Sequence, residues 1–217
     1  MDAVKAAHRP SWEQHMRELD ELGYTVVPEV LPRSLTARVR AAMDAVLLPP
    51  QPDGSRVSKV HPIPGSIMAE LAAAPSLLSM AGAFYRCDPL ELRLGEQVMI
   101  RSDPPPTADH PAARPGAMGW HTDFIFPPGS YEATPRRTYF QFFLHMNTVQ
   151  PGCAAFMIVP GSHKATLAVA KDLTTREERA AVRANLGESL GLDLDKNGIE
   201  VSLSLSLSLS LSLSLSL

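Results

Sequence analysis

His121 and Asp123 stand two residues apart in the run Gly119-Trp120-His121-Thr122-Asp123-Phe124. On an extended segment, residues i and i+2 face the same side of the backbone. An imidazole nitrogen and a carboxylate oxygen so placed can hold one cation between them. They are two of the three ligands in the two-histidine, one-carboxylate face that leaves open positions on Fe(II). With 7 His and 11 Asp in 217 residues, chance alone supplies roughly 0.35 such pairs, so the neighbourhood has to decide. The bland alternative is a strand end carrying a solvated Asp and a hydrogen-bonded His.

Three other stretches carry side chains suited to the same chemistry. Downstream, Asn147-Thr148-Val149-Gln150-Pro151-Gly152-Cys153-Ala154-Ala155-Phe156 leads into Val159-Pro160-Gly161-Ser162-His163-Lys164. Upstream, Gln97-Val98-Met99-Ile100-Arg101 precedes a proline-rich loop, and Val57-Ser58-Lys59-Val60 lies earlier. In this order and spacing, over about residues 17 to 200, the chain resembles the phytanoyl-CoA dioxygenase family of Fe(II)- and 2-oxoglutarate-dependent hydroxylases. The most specific part is His-x-Asp followed some forty residues later by Pro-Gly-Ser-His.

The resemblance implies that His121 and Asp123 are Fe(II) ligands and that Lys59, Gln97, Met99 and Phe143 surround 2-oxoglutarate. A lysine ammonium suits a carboxylate as a point charge, and a glutamine can both donate and accept. Met99 fits backbone or packing contacts better. For Lys59 the competing reading is an ordinary solvated lysine, and for Phe143 it is core packing alone. Trp120 and Phe124 flank the metal pair as pocket walls or core aromatics. His163 is rejected as a third ligand, because Pro160-Gly161-Ser162-His163 reads as a turn and family members carry it besides their metal histidine. His145, in an apolar run, reads as a buried or cross-strand histidine.

The implied reaction consumes O2 and 2-oxoglutarate, with ascorbate as an aid, and hydroxylates an unactivated aliphatic C–H bond of a small molecule. The segment Asp103 to Pro115 is the candidate lid. The family's substrates range over acyl-CoA thioesters, amino-acid-like solutes and secondary metabolites, and no basic cluster here argues for CoA.

These residues need a scaffold. Ser11-Trp12-Glu13-Gln14 is a capping-box pattern and Gly23 a terminator, so a helix is expected over Trp12 to Leu22. Tyr24 to Val27 reads as a strand stopped by Pro28. Leu35, Val39, Met43 and Val46 at helical spacing predict a helix from about Ser34 to Leu47. Two short helices are expected over Ser66 to Ala73 and Pro75 to Tyr85. Strands then dominate: Leu90 to Ile100, Trp120 to Phe126, Tyr139 to Val149 and Ala154 to Val159. Thr174-Thr175-Arg176-Glu177-Glu178 caps a helix running to about Leu190. Helices first and strands afterwards argue for an α+β domain on a β-sandwich or barrel. The resemblance narrows this to a double-stranded β-helix, a cupin-like jelly roll with N-terminal helices, incomplete at its C-terminus.

Ser202 to Leu217 is eight Ser-Leu dipeptides. Period two suits an amphipathic strand, but a two-residue slip changes nothing, so such a repeat sets no register. The preferred reading is a low-complexity tail, giving a dioxygenase-like domain over 1–200 and a tail over 201–217. Family members carry a second metal histidine and a 2-oxoglutarate-binding arginine in later barrel strands. This chain has no histidine after His163 and no arginine after Arg183. Two alternatives therefore stand beside the enzyme: a catalytically inactive pseudoenzyme or binding module of the same fold, and an incomplete or artificial chain.

Composition restricts the partners. The 217 residues suffice for one domain with a real core, and 45% hydrophobic with 20% charged residues is ordinary for a globular protein. A net charge of −3 gives no general pull toward nucleic acid or anionic membrane. Cys87 and Cys153 have no ligand spacing and read as reduced thiols. With no apolar leader at the N-terminus and no spanning stretch, the cytoplasm is the expected location. Oligomeric state is not encoded in any of these features.

Overall fold

Trp12, Met16 and Leu19 recur on one face of the first helix, and that stripe is what the helix buries. The computed structural model describes residues 12–47, 49, 56–59, 65–92, 99–102, 120–122, 141–144, 156–201 and 208–212. Helix α1 (Trp12–Leu22) ends at Gly23, whose φ of +82° is the left-handed conformation that terminates helices. Strand β1 (Tyr24–Pro28) follows, then α2 (Arg33–Val46), α3 (Ile67–Ala72) and α4 (Pro75–Tyr85). Leu35 and Val39 on α2, Leu71 on α3, and Leu77, Met80 and Phe84 on α4 meet Leu19 and Val27 in the main core. Each set recurs at three- or four-residue spacing, so these helices share one buried interior.

Strand β1 faces two ways. Thr25 and Val27 are buried, Val27 in the main core, while Tyr24 and Val26 pack on a smaller cluster around Ile158 and Val201. The sheets, all antiparallel, are small. Strand β2 (Arg56–Lys59) pairs with β3 (Met99–Ser102), and β5 (Phe156–Ile158) with β6 (Ile199–Val201). Strand β7 (Ser208–Ser212) lies between β1 and β4 (Phe143–Leu144). Part of the Ser-Leu repeat thus forms the amphipathic-pattern strand, with Leu209 opposite both Val27 and Leu144.

The C-terminal helices make a second cluster. Helix α5 (Ser162–Ala170) is followed by α6 (Arg176–Ala184), α7 (Leu186–Leu190) and α8 (Leu194–Asn197). Ala170, Val182 and Leu186 are buried together, with Trp120, Leu190 and Leu194 packed against them. The expected capping box is present: Thr175 Oγ1 accepts from Glu178 N at 3.1 Å and Glu178 accepts from Thr175 N at 2.9 Å.

Several expectations are corrected. Of the strand expected over Leu90 to Ile100, Leu90 and Glu91 lie instead in the 3-10 turn Pro89–Glu91, Met99 and Ile100 lie in β3, and 93–98 lie outside the described residues. Asp88 caps the turn by accepting from Leu90 N at 2.9 Å, Pro89 fixes φ, and Leu90 is left 84% exposed. The helix expected to reach Leu190 breaks at Asn185, whose φ of −129° is not helical, and the offset buries Leu186. The turn at Pro160-Gly161 is real, but Ser162 and His163 already belong to α5. No helix among the described residues is long and apolar enough to cross a membrane. The architecture is α+β: a helical layer, small antiparallel sheets, and a C-terminal helical group.

Candidate functional site

Trp120, not His121, is the residue that the core captures on this segment. Its indole packs on the cluster of Ala170, Val182 and Leu186, and Nε1 donates to Asp195 Oδ1 at 2.7 Å. His121 is correspondingly exposed. The expected strand with an inward-facing histidine is therefore corrected: residues 120–122 are without regular secondary structure. Trp120 is partly buried against the helical cluster, while His121 beside it stays exposed.

His121 and Thr122 border a cavity of about 80 Å3. At ~10–15 Å3 per water, that is room for roughly six waters, small beside the ~300–1,000 Å3 of a typical ligand pocket. Strand β5 forms one wall through Phe156 and Ile158, α5 another through Ser162 and Thr166, and Leu186, Leu190 and Leu194 close the third. Among the described residues, the lining contains hydroxyls and imidazoles but no lysine, arginine, aspartate or glutamate. Such a pocket suits an apolar group with a few orienting polar contacts.

His163 also touches this cavity, yet it is engaged elsewhere. It is 6% exposed, and its Nε2 donates to the main-chain carbonyl of Asp20 at 3.2 Å. Nδ1 is turned toward Gly23: a Cβ at that position would stand 2.5 Å from it. Nδ1 has no hydrogen-bond partner among the described residues. Burial lowers the His163 pKa; Lys164 adds to the effect, while the Asp20 carbonyl and the Asp20 charge oppose it. Gly161 N donates to Leu22 O at 2.8 Å and Gly23 N to Leu19 O at 3.0 Å. The Pro-Gly-Ser-His run thus satisfies the last carbonyls of α1, which an α-helix leaves unpaired. That is a structural duty, with Nε2 bonded to Asp20 and Nδ1 buried against Gly23.

The described residues include no grouping of three or more His, Cys, Asp or Glu able to hold a metal ion. Asp123 lies outside the described residues, as do Gln97, Phe124 and His145. An accessible imidazole at a cavity mouth, followed two residues later by a carboxylate, is a donor set that fits an open-sided iron site.

The remaining candidates fall as follows. Lys59 and Met99, forty residues apart, are direct register partners on β2 and β3. Phe143 on β4 contacts Phe156 with ring centroids 4.4 Å apart, and Phe156 borders the cavity that His121 borders. Sequence reasoning overlooked Asp195 and Gly198. A readable signal existed, because Asp193 caps α8 by accepting from Lys196 N at 3.1 Å and Gly198 follows as a terminator.

A family model described as phytanoyl-CoA dioxygenase (PhyH) matches residues 19–189. No curated protein and no solved structure matches the chain.

Proposed function

We propose that this chain, which belongs to the phytanoyl-CoA dioxygenase family, is an Fe(II)- and 2-oxoglutarate-dependent dioxygenase. Its substrate is a small molecule hydroxylated at an aliphatic C–H bond, and its scaffold is the double-stranded β-helix. The observation that carries the reading is His121 at the mouth of a largely apolar cavity. Iron and 2-oxoglutarate, when bound, supply the oxygen chemistry: one O2 and one 2-oxoglutarate yield succinate, CO2 and one hydroxyl on the substrate carbon.

The chain's own residues do the rest. His121 and Asp123 hold the metal from one side. The Lys59 ammonium meets a 2-oxoglutarate carboxylate, Gln97 orients the cosubstrate, and Met99 packs beside it. Phe143 backs Phe156, which walls the cavity. Leu186, Leu190 and Leu194 keep water from the reacting carbon, a precondition for controlled oxidation. A cytoplasmic location without nucleic-acid or membrane partners fits the net charge of −3.

A second reading, a pseudoenzyme or binding module of the same fold, is favoured by one observation. His163, the last histidine of the chain, is committed to Asp20 and Gly23. Anaerobic loading with Fe(II), then addition of O2 and 2-oxoglutarate, tests the two. Succinate formation that depends on Fe(II) and is lost in His121→Ala supports the enzyme. 2-Oxoglutarate binding without succinate supports the binding module.

A further inference from the structure

We infer that the short helix α8 and the glycine after it are a positioning device: Asp195 and Gly198 hold Trp120, and through Trp120 set where His121 stands at the cavity mouth. The functional consequence rests on the proposal that His121 ligates iron.

Three contacts fix the indole. Nε1 donates to Asp195 Oδ1 at 2.7 Å, across 75 residues of sequence. One face packs on the buried cluster of Ala170, Val182 and Leu186. The adjoining edge of the six-membered ring lies against Gly198, where a Cβ would come within 2.5 Å of Cη2 and 2.6 Å of Cζ2. That same Cβ would stand 2.8 Å from the Leu194 carbonyl, so residue 198 cannot grow a side chain without displacing the ring or the helix. The indole is thus held along its Nε1–Cζ2–Cη2 edge by a hydrogen bond and by close backbone approach.

His121 is the next residue, and residues 120–122 lie in no helix or strand of their own. A segment outside any sheet takes its position in part from its anchored side chains. Trp120 is such an anchor one peptide from the proposed ligand. The device also joins the cavity walls, because Leu194 of α8 lines the cavity and β6, which starts at Ile199, pairs with β5, whose residues also line it. Movement of α8 therefore moves the anchor of His121 and one wall together.

The test uses the metal-free chain and 15N-edited NMR. The two tryptophans give two indole N–H signals, and Trp12, bonded to Ser79 Oγ at 2.9 Å, is the internal control. His121 ring signals are assigned by their loss in His121→Gln. Asp195→Ala should shift the Trp120 indole signal and the His121 ring signals while leaving Trp12 unmoved. Asp195→Asn, which keeps an oxygen acceptor, should restore both. Trp120→Phe, which keeps a ring but loses the donor, should shift His121 as Asp195→Ala does. Anaerobic Fe(II) titration should then show affinity lower by about tenfold in Asp195→Ala and near wild type in Asp195→Asn. His121 ring signals that stay in place in both Asp195→Ala and Trp120→Phe overturn the inference. Should Asp195→Ala also move Trp12, Trp120→Phe alone decides. Wild-type chain that takes up no Fe(II) refutes the iron reading, while the metal-free spectra still decide the positioning role.

Discussion

At the scale of single residues, the tightest constraint is the approach of His163 to Gly23. Gly23 has both a left-handed backbone and no space for a Cβ, which would lie 2.5 Å from His163 Nδ1. Gly23→Ala should destabilise the fold by about 2–4 kcal/mol, combining left-handed backbone strain with overpacking; urea denaturation measures it. The same pair makes stability depend on pH. The folded His163 pKa is lowered by burial, against an ordinary value of 6.5. Between the two values the unfolded chain binds the proton and the folded chain does not, so stability rises with pH there. The contribution of neutral His163 is complete above 6.5 and declines as pH falls through that value toward the depressed one. Unfolding free energy should therefore drop on acidification from about pH 7.5 to 5.5, and His163→Asn should flatten that part of the profile. An unchanged slope in His163→Asn would assign the effect to other groups.

At the scale of elements, β7 has an unusual freedom. A two-residue slip of Ser208–Ser212 presents the same sequence to β1 and β4. Val27 has no such substitute. Val27→Ala should cost about 2 kcal/mol, the loss of two buried methyl groups and the cavity they leave. Leu209→Ala, at the register position opposite Val27, should cost much less, because slippage brings another leucine to the same place. Equal losses in thermal unfolding would mean that the repeat holds one register. These contrasts also show where sequence is readable. The α1 boundaries and the Thr175–Glu178 cap follow from local signals, and both are found. The pairing of Tyr24–Pro28 with Ser208–Ser212 is not local, and a repeat that matches any partner carries no instruction about which. Likewise the Trp120–Asp195 bond spans 75 residues, so His-x-Asp and the α8 cap could be read from the chain while the pairing of Trp120 with Asp195 could not.

At the scale of the whole molecule, the described lining of the cavity comes from residues 120–122, β5, α5, α7 and α8, while α1 to α4 bury a core of their own. The Pro-Gly-Ser-His run ties α5 to the end of α1. His163 serves that tie, and the proposed metal ligands are His121 and Asp123. Two protein ligands hold a first-row cation less firmly than three, so Fe(II) binding by this 217-residue chain should be weak. The most direct measurement is anaerobic equilibrium dialysis of Fe(II) against the wild-type chain, His121→Ala and Asp123→Ala. Metal ligation by the His-x-Asp pair predicts one weakly bound Fe(II) in the wild type and at least ~10-fold weaker binding in either variant. Equal uptake by all three chains would contradict it and place any bound iron on other residues.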